Sequence, residues 1–163
     1  MQQWIINKFS IFLLCFAMLA NPVLASHDTQ LDRIMQAEQP PGIVFEVMSR
    51  KADYLDWAIK EINRLSQKIR SRYPKLPIAV VSHSREQFAL ANNQKSGYQE
   101  MHRQVKSLVE EQDIPVHVCG VSVERRGLDA KDFPEYVDVA ESGPIQLGLY
   151  KELGYKLVII TGH

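Results

Sequence analysis

Cysteine is scarce in this chain: among 163 residues there are two, Cys15 and Cys119. No Cys-x-x-Cys pair and no close pair of histidines is present, so a metal site built from His83, His117 and Cys119 has little support. Charge of one sign is also lacking. Lys plus Arg number 19 and Asp plus Glu number 19, and no long basic block stands out, so no nucleic-acid partner is expected. A glycine-rich phosphate loop is missing too. Where one would follow the first predicted strand, the chain reads Ser49-Arg50-Lys51-Ala52. No cofactor and no metal are therefore expected. There is no internal repeat, no low-complexity tract and no sign of a second domain.

What is present begins with an apolar N-terminus. Lys8 is the only charge in residues 1–25, and residues 9–19 are apolar except for Ser10. Asn21-Pro22 breaks any helix there, and Val23-Leu24-Ala25 offers small residues where a signal peptidase reads. Residues 1–25 are thus expected to be a signal peptide cleaved before Ser26, which places the protein in the periplasm. The apolar run is shorter than the roughly 20 residues of a membrane span. No membrane contact is expected after cleavage; an uncleaved N-terminal anchor is the alternative. Cys15 leaves with the leader, so Cys119 becomes a lone thiol in an exported chain. Such a thiol cannot close an internal disulfide and must be buried, paired with another molecule, or used.

Residues 26–41 are polar, with Leu31, Ile34 and Met35 spaced as in a short amphipathic helix or a loose arm, ended by Pro40-Pro41. Residues 42–163 then alternate. Apolar strands are predicted over 42–48, 78–81, 115–119, 137–140 and 155–161. Helices are predicted over 52–73, where Leu55, Ile59, Ile62, Leu65 and Ile69 recur at helical spacing, and over 98–112. A further helix over 143–153 has Ser142 as its cap, Pro144 in its first turn and Gly154 at its end. Residues 86–97 give a weak short-helix signal followed by a loop, and 128–136 read as charged surface. Alternation of this kind predicts a three-layer α/β/α fold of flavodoxin- or Rossmann-like architecture, with a mainly parallel five-stranded sheet. In such folds ligands bind beyond the carboxyl ends of the strands, which gathers Ser49, Arg50, His83, Cys119, Gly120 and Gly143 at one rim.

The stretch from Pro115 to Gly127 organises the rest. Val116 and Val118 face one side of the sheet, His117 and Cys119 the other. Gly120 permits a tight turn or a close approach. A helix starting there presents free N–H groups beside the sulfur, and Arg125 and Arg126 would add positive charge if they fold back. That is the setting of a reactive thiolate; a buried cysteine acting as a small apolar side chain is the alternative. His83 is expected either to bond the sulfur and shuttle a proton or to be a polar strand-end residue. His117 is expected to be structural. Arg50, Lys51 and Arg85 would line an anion-attracting rim or sit on solvated loops. Tyr54 and Trp57 would meet another subunit or pack on a neighbouring loop.

With Cys119 at the end of the third strand and Arg125-Arg126-Gly127 six to eight residues later, the chain resembles the DsrE family of small α/β proteins, including sulfur-relay subunits of the TusD kind. Ser142-Gly143, the Gly154 cap and the final apolar strand resemble that family as well. The resemblance implies a sulfur carrier or sulfurtransferase-like protein, in which Cys119 takes up a sulfane sulfur and passes it on. Only Cys119 carries over as catalytic; Arg125 and Arg126 match the family by position, and on the residues' own reading Gly120, His83, Arg125 and Arg126 are the candidates to bind the substrate. The resemblance further implies a homo-oligomer, a trimer or hexamer, and sulfur donors and acceptors as partners. An export signal departs from the cytoplasmic relay. A non-catalytic oligomeric binding protein of the same fold is the alternative.

Overall fold

The parallel sheet forms because each apolar strand is followed by a segment long enough to cross back over one face. In the computed structural model, which describes residues 27–161, the strands are β1 (Ile43–Val47), β2 (Ile78–Ser82), β3 (Val116–Cys119), β4 (Asp138–Ala140) and β5 (Lys156–Ile160). Their order is β4-β3-β2-β1-β5, and every pairing is parallel. The predicted three-layer α/β architecture is therefore the observed one, with a sheet that is parallel throughout. The predicted leader lies outside the described residues. No described helix is long and apolar enough to cross a membrane.

The helices are α1 (His27–Gln36), α2 (Tyr54–Arg72), α3 (Gln99–Glu110), α4 (Gly120–Arg125) and α5 (Gly143–Glu152). The chain steps outward from β1 to β4 and then returns through α5 to place β5 on the other side of β1. This return divides the two faces unequally. The larger core joins Leu31 and Met35 of α1, the apolar stripe of α2, Met101, Val105 and Leu108 of α3, and the strand residues Ile43, Phe45, Val80, Val116 and Val118. The opposite face has a small core of Val44, Ala79, Val81 and Leu147, covered by α5.

Residues 26–41, open between helix and arm in the sequence, form α1, which packs on β5 and α2. Leu31 is fully buried, and Asp28 bonds Arg64 and Lys68 of α2. Helix α1 also caps the exposed edge of β5. Gln30 Oε1 accepts from the Ile159 N–H at 3.0 Å, and His27 Nε2 from the Thr161 N–H at 3.0 Å. An uncovered parallel edge would present those N–H groups to any passing strand. Trp57 and Tyr54 lie together, with Trp57 also against His27 and the Tyr54 hydroxyl donating to the Ile160 carbonyl.

One reading needs correction. Residues 128–136 are not all surface: Phe133 and Pro134 are buried, and Phe133 joins the larger core. Asp129 caps a 3-10 turn at Ala130–Asp132 that turns Phe133 inward. The weak signal at 86–97 resolves into a 3-10 helix, Glu86–Leu90, whose five residues are all buried. The short helix read there is thus present, as a 3-10 helix that buries Glu86 and Gln87 along with Phe88, Ala89 and Leu90.

Candidate functional site

The carboxyl ends of β2, β3 and β4 meet at Cys119. β3 ends on Cys119, which pairs in register with Ala140 of β4. Each of these strands runs straight into a helix, α4 from Gly120 and α5 from Gly143. Parallel neighbours with such short exits bring the two helix starts to the same sulfur.

Burial pushes the Cys119 thiol up. The Ser122 hydroxyl and the backbone N–H groups of Gly143, Ser122 and Val121 outweigh it, and the thiol sits below its ordinary range. None of these strongest influences is an arginine. Cys119 is 4% exposed and makes no disulfide.

Two glycines allow this closeness. A Cβ at Gly120 would lie 2.6 Å from the Ala140 carbonyl oxygen, so only glycine lets α4 start against the end of β4. A Cβ at Gly143 would lie 2.3 Å from His83 Cβ and 3.5 Å from Cys119 Cβ. Gly143 therefore sits between the stems of His83 and Cys119, and its missing side chain brings the two together.

His83 Nε2 is 2.8 Å from Glu46 Oε1, a half-buried carboxylate on the α5 side of β1. Glu46 was not singled out in the sequence. Its signal was a lone charge inside the apolar run Ile43-Val44-Phe45-Glu46-Val47. Gln87 was also missed. It is fully buried, and its Oε1 accepts the Cys119 N–H at 2.7 Å, while its Nε2 has no partner among the described residues. Beside it, the buried Glu86 accepts from Ser49 N–H, the Ser82 hydroxyl and Ser84 N–H, which fixes the loops after β1 and β2.

The remaining sequence candidates lie elsewhere. His117 is held between Asp138, at 2.6 Å from Nδ1, and the Tyr150 hydroxyl, at 2.8 Å from Nε2. With both ring nitrogens engaged, it is a structural residue. Arg125 is exposed and makes no ion pair among the described residues. The Arg126 guanidinium lies 4.4 Å over the Phe88 ring and lines a separate cavity. No group of three or more His, Cys, Asp or Glu among the described residues is placed to hold a metal ion.

The DsrE/DsrF-like family model covers residues 45–158. The chain belongs to the DsrE/DsrF-like family. Among solved structures, a protein of unknown function, MTH1491 from Methanobacterium thermoautotrophicum, is 19% identical with a TM-score of 0.59. The match covers 72% of this chain and 97% of that one. The ychN protein from E. coli is 18% identical with a TM-score of 0.54, over 73% of this chain and 98% of that one. At these identities the likeness establishes the fold alone. Among curated proteins none matches the chain.

Proposed function

We propose that this DsrE-like protein is an exported carrier of sulfane sulfur, with Cys119 as its carrying atom. The observation behind this reading is the thiol's setting: the start of α4, the start of α5 and the Ser122 hydroxyl all favour its anionic form. The Cys119 thiolate attacks the outer sulfur of a persulfide donor, R–S–SH. A new S–S bond forms on Cys119, the donor's S–S bond breaks, and the donor leaves as R–S⁻. An acceptor thiolate reverses the exchange. His83, held by Glu46 and packed with Cys119 around Gly143, is the residue proposed to take or return the proton. The analogy is to TusD-like relay subunits, transferred here as part of the proposal to an exported chain.

The carrier is proposed to work as a homo-oligomer, a trimer or hexamer. The outer side of α5 supports this. Ile145, Leu149 and, just past the helix, Leu153 follow each other at four-residue spacing and are 48, 49 and 64% exposed. They flank the helix whose first residue donates to the thiol.

Incubation of the purified protein with a low-molecular-weight persulfide, followed by intact mass spectrometry, tests the reading. The wild type is expected to gain the mass of one sulfur and Cys119→Ser none; equal gain in both would refute it. A second reading, a non-catalytic binding protein, is favoured by the near-complete burial of Cys119. Alkylation at neutral pH separates the two: a carrier's thiol reacts quickly, and a sealed one does not. Mass analysis of the protein from its host reports whether the chain begins at Ser26.

A further inference from the structure

The larger-core side of the sheet carries a concavity at the carboxyl rim whose lining does not include Cys119. It is a cavity of about 460 Å³. Arg50 comes to it from the loop after β1, Arg85 from the loop after β2, and Arg126 from the end of α4. Its lining contains no Asp or Glu. Among the described residues none of the three guanidiniums makes an ion pair. The carboxylate next in sequence, Glu86, is buried, and its oxygens are already taken by Ser49, Ser82 and Ser84.

The three arginines are exposed at the hollow, and no carboxylate of its lining offsets their charge. An anion would. One guanidinium is also partly fixed in place. Arg126 is stacked on Phe88, and Arg85 precedes the 3-10 helix that supplies Phe88 and Ala89 to the wall. Planar forks from separate loops suit the several oxygens of a phosphoryl group better than a single carboxylate. Asn93, Gln94 and Tyr98 add neutral polar groups at the margin.

We propose that this cavity is a phosphate-binding site, distinct from Cys119, whose ligand is either free phosphate or the phosphoryl group of a small organic ester. Arg126, which the sequence assigned to the thiol, is one of its three cationic contacts.

Isothermal titration of the full chain at low ionic strength with inorganic phosphate, and separately with phenyl phosphate, tests it. Saturable binding of at least one is expected, and the tighter probe identifies the source. Arg85→Gln and Arg126→Gln are each expected to weaken that binding by about tenfold, and Arg85→Lys by less. Arg103→Gln, on the exposed face of α3 where Arg103 pairs with Glu100, should leave it unchanged. Absence of binding by both probes, or an equal loss in Arg103→Gln, overturns the proposal. Cys119→Ser is expected to keep phosphate binding while losing sulfur loading, so failure of one reading is distinguishable from failure of the other.

Discussion

At the scale of single residues, the chemistry of Cys119 depends on hydrogen-bond donors rather than on cations. Ser122 leads the groups that oppose burial. Ser122→Ala is therefore expected to raise the thiol's pKa and to slow alkylation near neutral pH several-fold, with the pH–rate midpoint moved upward; a pH series of iodoacetamide rates checks this. The sign for folding follows from the same shift. A native thiol pKa below the unfolded one gives stability that is fully present above the unfolded value and lost as pH falls through the native one. The cysteine and its strand-end position were legible because a lone thiol before a glycine stands out in a sequence. Gly143 and the N–H groups of the helix after Gly120 were legible as well, from the strand ends and the glycine turn. The Ser122 hydroxyl, Gln87 and Glu46 were not, because no spacing along the chain encodes the meeting of their segments at the site.

At the scale of elements, α1 decides whether the sheet has an open edge. It is docked by Leu31 and Met35 in the core and by the Arg64 and Lys68 bonds to Asp28. The two cations hold the Asp28 carboxyl down at about 2. Its contribution is thus complete above the ordinary carboxylate range and fades only as pH falls toward 2. Being largely exposed, the pair adds little next to the apolar contacts. Leu31→Ala is expected to cost about 2–5 kcal/mol by urea denaturation, and its loosened α1 should raise aggregation by freeing the β5 edge. The periodicity of Leu31, Ile34 and Met35 hinted at this helix, but its role as an edge cover appears only when Gln30 and His27 are seen on β5.

At the scale of the whole molecule, the uneven division of helices leaves one face thinly covered, with α5 exposing Ile145 and Leu149. Under the proposed assembly through α5, Leu149→Glu is expected to lower the sedimentation coefficient from that of an oligomer to that of a monomer without changing the far-ultraviolet circular dichroism. An unchanged coefficient, or a wild type that is already monomeric, would count against assembly through α5. By itself the sequence determined the alternation of elements, the parallel sheet, the caps at Ser142 and Gly154 and the end position of Cys119, because periodicity and capping are local properties of the chain. Only the tertiary structure decided what surrounds that sulfur and where the arginines go. Parallel pairing of β3 with β4 brings two helix starts onto the thiol, while the direction in which α4 leaves the sheet carries Arg126 to Phe88 on the other side.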